Sequence, residues 1–486
     1  PTTGKEELVR IDHQFTEKFS VFGHFIADQA QQTYGTTQWS NDKLPTVFDT
    51  FGNPSYSYVI HTTHTISPTL LNEVAFSYNG NRIHILPAGV FKAPSDFTFN
   101  RIFSGPNVDN RIPTIQLSGS TGATYNVNWM PWNNTADSYQ IRDDISWTKG
   151  AHQFKIGGSF AIYKKVQDYF ANTQGQFGFD GSLTKPSGCV AVPKVTACGF
   201  DFADFLLGMS NNYQEQAFKG VGHWNAISPA AYIQDNWRAT QRLTLNLGLR
   251  WDGIPHTYEA NNNMANFYPN RYNPAQAPVF VPGSNDTQID PSSPGLGPSP
   301  VPQLAGYQFY LNGIGFEGKN GVPKGLVNDT WNSFGPRLAT NPPFGYSLNT
   351  GSTGVSLSDP HNQLNGGSIT VPILTSSVTG LNQHYKVPTT YSYSAGVQQA
   401  LGKNAVLSIS YVGNQNRYQS YFQEINLPPQ SQLACLQDKA NCPGGVQPAF
   451  NGLVPYQGFS SLKMAFTGQN GHYNSLQTEI HGQVTH

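Results

Sequence analysis

The residues with the most chemistry in them are four cysteines, set as two close pairs: Cys189 with Cys198, and Cys435 with Cys442. Both pairs lie in runs containing Pro, Gly and Lys, so both are expected in loops. Two loop-closing disulfides in an oxidising compartment are the expectation. The rival is a four-thiolate metal site. Its spacings are wider than those of structural zinc, and neither local run holds a histidine. Gly313-Ile-Gly-Phe-Glu-Gly318 has the G-x-G-x-x-G pattern of a phosphate-cradling loop. The motif needs a helix after it, and Lys319-Asn-Gly-Val-Pro323 breaks one. His61 and His64 lie three apart on an expected strand, which puts them on opposite faces and denies them a shared metal. Asp143 and Asp144 are split in the same way, so they are not a catalytic carboxylate pair. No nucleophile elbow, zinc-protease helix or P-loop pattern occurs. Asn133, Asn285 and Asn328 begin N-x-[ST] sequons, which matter only in a eukaryotic secretory setting. Trp39, Trp129, Trp132, Trp224 and Trp331 fall in expected loops. Their rings can stack on sugars or peptides, or pack the loops against each other. The sequence therefore offers no catalytic residue, no metal ligand and no cofactor site. It reads as a non-enzyme, with its ligand-binding residues unassigned.

Composition narrows the class. The chain has 486 residues, of which 12% are charged, 13% aromatic and 38% hydrophobic. Roughly 25% charge is usual for a globular protein. A soluble protein of this size needs more charge outside and more apolar residues inside. A barrel with a lipid-facing band and a wet interior needs neither. The formal net charge of −1 gives no basic patch for nucleic acid. No apolar run is long enough for a membrane-spanning helix, a test that does not apply to barrel strands. No signal peptide is visible at Pro1-Thr-Thr-Gly-Lys5.

The elements that must position these residues are strands. In Leu243-Thr-Leu-Asn-Leu-Gly-Leu-Arg-Trp251 every odd position is apolar and every even one is polar or glycine. This period of two gives one greasy face and one wet face. Ala231–Trp237 precedes it across the polar run Arg238–Arg242. Four similar strand–turn–strand units are expected at Leu8–Phe15 with Phe19–Ala27, Tyr56–Ile66 with Leu71–Gly80, Ser138–Trp147 with Gln153–Tyr163, and Thr390–Leu401 with Ala405–Gly413. Their turns, such as Thr148-Lys-Gly150, carry hairpin chemistry. Between the units lie long segments, roughly 28–55, 82–137, 164–229, 252–330 and 340–388, far above the usual loop of about 4–6 residues. Short turns at one end and long loops at the other mark an outer-membrane barrel. Phe15 and Phe19, Trp147 and Phe154, and Trp237 and Trp251 sit near strand ends, where interfacial belts place aromatics. The best helix candidate is Asp201–Leu207, with Asp201 as N-cap and Gly208 as its stop.

These residues carry a resemblance. Arg10-Ile-Asp-His-Gln-Phe-Thr-Glu-Lys-Phe-Ser-Val-Phe22 is similar to the early barrel strands of TonB-dependent outer-membrane receptors, more narrowly the Oar-like type with a carboxypeptidase-regulatory-like domain known from acidobacteria. Trp147-Thr-Lys-Gly-Ala-His-Gln-Phe-Lys-Ile-Gly-Gly158, Tyr232–Trp251, Tyr393–Gln399 with Ser410–Gly413, Asn332–Arg337 and Tyr473–Gln477 follow that pattern in order. The resemblance implies an all-β fold, an antiparallel transmembrane β-barrel of roughly 12–16 strands. It implies a place in the bacterial outer membrane, with lipid around the wall. It implies uptake, or export, of a bulky solute such as a siderophore, glycan or peptide. A TonB-type energy-coupling protein would be the partner of the full-length receptor. Residues 1–486 then read as one barrel fragment, with the regulatory-like domain, the plug and the final strands lying outside it. The family's usual strand pair is also missing after Leu338, as if deleted. The alternative is a surface or secreted all-β adhesin or glycan-binding protein, and a plain porin comes third. A barrel predicts that the apolar faces of Leu243–Trp251 and Ala405–Tyr411 form an outer band; an adhesin predicts that they meet in a closed core.

Overall fold

The computed structural model describes residues 2–35, 47–97, 100–103, 110–125, 131–168, 172–189, 198–240, 243–253, 255–300, 306–329, 347–349, 355–356, 373–401, 405–442 and 449–482. Eleven strands of ten residues or more form its wall, numbered in chain order. They are β1 Thr2–Thr16, β2 Phe19–Thr33, β3 Val47–Ser67, β4 Leu70–Gly89, β5 Trp132–Lys149, β6 His152–Asp168, β7 Val221–Thr240, β8 Leu243–Asp252, β9 Thr389–Leu401, β10 Ala405–Glu424 and β11 Phe459–Gly482. The fold is all-β and its wall is antiparallel. β1 to β8 pair in sequence order, and β9, β10 and β11 pair likewise. β8 and β9 run side by side between the two groups. One edge of β1 carries no strand partner among the described residues.

The connections alternate without exception. Connections of two or three residues join β1 to β2, β3 to β4, β5 to β6, β7 to β8 and β9 to β10. Long segments join the others, and all of them emerge at the opposite end. Gly150, with φ of +60°, closes the β5–β6 turn in a conformation that a side chain resists.

The loops and the loop-end parts of the strands supply the buried core. Phe177, Phe179, Tyr213, Leu117 and Phe103 form one cluster, around the small sheet of Thr114–Leu117, Gln176–Phe179 and Asn212–Gln216. Phe267, Ile289, Phe459 and Leu462 form a second. The expected helix appears as α1, Asp201–Leu206, followed by Gly208 with φ of +70°. Asp201 is not its cap: Phe200 holds that position, and the Asp201 carboxylate turns inward to accept from Thr121 N and Thr121 Oγ1.

Eleven long strands lie among the described residues. Two further expectations are corrected. The strands themselves are longer than the alternation suggests. β3 begins at Val47 and not Tyr56, β4 runs to Gly89 and not Gly80, and β7 begins at Val221 and not Ala231. These extensions lie at the loop end, beyond the lipid-facing band, where residues such as Val47 and Ile85 pack against the loops and no lipid enforces a period of two. A further long loop, absent from the expected set, joins β10 to β11. It holds Cys435 and Cys442 and contains a helix, α2, Gln430–Gln437.

Candidate functional site

Cross-strand pairs share a face, so the register sorts every wall residue. On one face, Val9, Phe25, Tyr58, Tyr78, Tyr139, Ile162 and Ile227 form a single rung across seven strands. The next rung holds Ile11, Gly23, Ile60, Phe76, Ile141, Phe160 and Pro229. Among the described residues no second layer covers these side chains. Ile141 is 51% exposed, Leu247 54% and Tyr411 44%. The apolar faces of β8 and β10 thus form an outward band and not a closed core.

Aromatics mark both limits of the band. Trp147 stacks near Phe154 with centroids 5.6 Å apart, and His152 lies 5.3 Å from Trp237. Phe15 and Phe19 sit 5.8 Å apart beside the first turn. Towards the loops, Phe25, Tyr58, Tyr78 and Tyr139 form a ladder with spacings of 4.8, 5.5 and 5.0 Å. Trp251 departs from the belt expectation. It pairs with Ala231 in the rung of Gly158 and Asp143, well inside the band.

The opposite face is polar. Asp144, Gly157 and Tyr232 occupy one rung of β5, β6 and β7. Tyr232 donates its hydroxyl to Asp144 Oδ1 across Gly157. A Cβ on Gly157 would lie 2.6 Å from Tyr232 Cε1, so this glycine is what lets the ring cross the strand. Arg142 Nε reaches Asp144 Oδ2 at 2.5 Å. On β8, Arg250 pairs with Asp252 at 2.6 Å and lies 6.0 Å from the Tyr232 ring centre. Arg142, Tyr232 and Arg250, with Gln140, Lys155, Ser159 and Gln234, line a recess of about 530 Å³. Such a wall can hydrogen-bond a polar solute and holds both signs of charge.

Above the wall, the loop cap is built around buried carboxylates. Glu215 accepts from the amides of Ile102 and Phe103 at 2.7 and 3.0 Å and from the Tyr213 hydroxyl at 2.7 Å. Burial raises its pKa, and these donors offset only part of that cost. Glu317 is raised for the same reason, while accepting from the amides of Glu259 and Gly325. Burial also pushes the Tyr125 hydroxyl up to about 12. No spacing in the sequence announces Glu215. The only trace is that Tyr213 and Glu215 share parity in the short run Asn212–Gln216, whose buried residues alternate.

The structure joins Cys189 to Cys198 and Cys435 to Cys442, with S–S distances of 2.10 and 2.12 Å. His61 lies on the polar face, 3.6 Å from Glu73, and His64 packs on Phe19 on the apolar face. Asp143 and Asp144 face opposite ways, Asp143 accepting from Asn72 Nδ2 at 2.5 Å. Ile314–Phe316, inside the G-x-G-x-x-G run, pairs with Ala265–Phe267 as a loop hairpin, with a turn and no helix after it. Trp132 and Trp224 stand on the loop-end extensions of β5 and β7, and pack against buried clusters. Trp132 also donates to the Asp168 carbonyl at 2.7 Å. Trp39, Trp129 and Trp331 lie outside the described residues.

Comparison with known proteins agrees with this architecture. The family model described as "Outer membrane beta barrel domain" matches residues 1–340 and 338–486. No curated protein matches. Among solved structures, the outer membrane transporter YddB from Escherichia coli is 10% identical, with a TM-score of 0.38, covering 97% of this chain and 44% of its own. The siderophore receptor PirA from Acinetobacter baumannii is 9% identical, with a TM-score of 0.36, covering 99% and 50%. The ferric-catecholate import receptor Fiu from E. coli K12, in its closed form, is 10% identical, with a TM-score of 0.36, covering 100% and 56%. The chain spans about half the length of these structures. With the family model matched along its whole length, and an apolar band to meet the lipid, this chain belongs to the outer membrane beta-barrel domain family of the bacterial outer membrane.

Proposed function

We propose that the chain is the wall of a TonB-dependent receptor that carries a bulky solute across the outer membrane. The observation that carries this reading is the division of the wall. One face is an exposed apolar band, and the other is a polar surface with a charged recess lined by Arg142, Lys155, Tyr232 and Arg250. The loops at one end fold into a cap with its own core, which is how a receptor would present a shaped surface to a large ligand. The Oar-like pattern from Arg10 to Gln477 supports the coupling to an inner-membrane energy source. The adhesin alternative needs the apolar faces to be covered by protein, and Leu247 and Tyr411 are exposed.

The test is growth of a strain lacking the gene on a panel of ferric siderophores, oligosaccharides and peptides, each as the sole iron or carbon source. The expected result is loss of growth on one class, reproduced by removing the energy-coupling protein. Loss of cell-surface binding with no growth defect on any class would favour the adhesin and refute transport.

A further inference from the structure

Where the apolar band ends towards the loops, charge appears abruptly on the membrane-facing side. Arg82, Asp137 and Lys164 stand on the neighbouring strands β4, β5 and β6, each twelve residues from the turn end of its strand. In the register Asp137 stands opposite Lys164, and Arg82 stands opposite Thr135, two residues further towards the loops. Trp147 and Phe154 of the turn-end belt lie two residues from their strand ends. The ten residues between span about 33 Å along the strand, or about 25 Å along the membrane normal at a tilt of about 40°. That is the height of a hydrocarbon band, so the three charges lie at the headgroup level on the loop side.

Their bonding leaves one charge over. Arg82 Nη2 donates to Asp137 Oδ1 at 2.7 Å and to the Tyr78 hydroxyl at 3.4 Å. Its Nη1 donates to the carbonyls of Asn81 and Ala136 at 2.9 and 3.2 Å. Tyr78 in turn donates to Asp137 Oδ1 at 2.7 Å. Asp137 is thus committed to Arg82 and Tyr78. Lys164 stands directly across from Asp137 on β6, is exposed, and has no ion-pair partner among the described residues. The patch carries a net positive charge, and the apolar rungs of Tyr139, Ile162, Ile141 and Phe160 lie directly below it.

We propose that Lys164, with the Arg82 guanidinium beside it, forms a site for the phosphorylated headgroup of an outer-leaflet lipid. The acyl chains would lie on the apolar rungs beneath. Charge complementarity and continuity with the lipid-facing band both select this occupant. A phosphate at this level supplies the anion that Asp137 does not give to Lys164, and an ammonium–phosphate contact is a charge-assisted hydrogen bond. The ladder of Tyr58, Tyr78 and Tyr139 makes the floor of the site rigid and amphipathic.

The test uses the full chain in maltoside micelles, with native mass spectrometry to count retained lipid. Phosphatidic acid is the phosphorylated probe and diacylglycerol its uncharged counterpart. Wild type should retain phosphatidic acid and not diacylglycerol. Lys164→Gln should weaken retention about tenfold, the scale of one charge-assisted hydrogen bond. Lys164→Arg should restore it, and Lys439→Gln, in a distant loop, should change nothing. Heat-modified gel mobility would verify that each variant folds. Equal retention of both lipids, or wild-type retention by Lys164→Gln, would overturn the site. Displacement by inorganic phosphate at equal concentration would also overturn it, by making the ligand a soluble anion.

Discussion

Gln140 and Ile141 are neighbours in sequence and opposites in environment, which makes them a sharp test of the wall. Ile141 lies eight residues from the turn end of β5, close to the midpoint between the belt at Trp147 and the charged level at Asp137. It is half exposed and flanked in its rung by Phe76 and Phe160. Gln140 lines the polar recess. An Arg placed on the lipid face costs about 2–4 kcal/mol at the bilayer midplane and about 0–1 near the interfaces. Ile141→Arg should therefore destabilise the folded wall by about 2–4 kcal/mol more than Gln140→Arg. The measurement is reversible guanidinium unfolding in phosphocholine vesicles, followed by tryptophan fluorescence. A depth series strengthens it. Trp147→Arg and Asp137→Arg, near the two limits of the band, should each cost far less than Ile141→Arg through the solvation term. Equal costs at 140 and 141, or a penalty at 141 that persists in lipid-free buffer, would mean that the apolar face packs on protein and does not meet lipid.

Three further outcomes are expected. Gly157→Val should cost about 1–3 kcal/mol by overpacking, since its side chain would strike Tyr232 and Asp144, and thermal unfolding in detergent would read this as a lowered midpoint. Burial raises the Glu215 carboxyl above its value in the unfolded chain, so folding favours its protonated form. Its contribution to cap stability is full below the unfolded pKa of about 4.5 and is lost as pH rises through the raised folded value. Glu215→Gln should flatten that slope in a series of thermal melts of the cap. Replacing Cys435 and Cys442 by Ser opens a loop closed over a separation of seven residues, at a chain-entropy cost of about 2–3 kcal/mol. Limited proteolysis of residues 425–458 should speed up accordingly, and peptide mapping of the unreduced wild type should find both bridges.

The wall is legible in the sequence to the extent that lipid dictates it. Alternation is readable in Leu71–Gly80, Ser138–Trp147 and Gln153–Tyr163, and it fades near Gly80, Ser138 and Tyr163. Those are the positions where the band ends and Arg82, Asp137 and Lys164 begin. Beyond them, in Trp132-Asn-Asn-Thr-Ala136, no periodic pattern betrays the strand, while Ile83 and Ile85 alternate with Arg82 and His84 because they pack into a loop-end cluster with Val47 and Trp132. The polar recess is half legible. Tyr232, Arg250 and Arg142 can be placed on the polar face by parity, but their meeting across Gly157 depends on the register between β5, β6 and β7. The cap is not legible. Ile102, Leu117, Phe177 and Tyr213 come from separate stretches, each too short for a period, and their contact is set by tertiary folding.

This division explains why the protein core lies among the loops and the loop-end parts of the strands, and not along the lipid-facing stretch of the wall. A wall one strand thick has no second layer to bury against. Its apolar face can only be satisfied by acyl chains and its polar face by water or a passing solute. Nothing in such a wall requires large side chains to meet across it. The cap stands in water on its outer surface and has no lipid to lean on. It must enclose Phe177, Phe179, Phe267 and Leu462 on its own and tie its loops with disulfides, as a small secreted domain does. Lipid and detergent should therefore govern the stability of the wall, while reductant and pH govern that of the cap. The two meet at the rungs of Asp137 with Lys164 and of Arg82, where the apolar face of the wall gives way to charge.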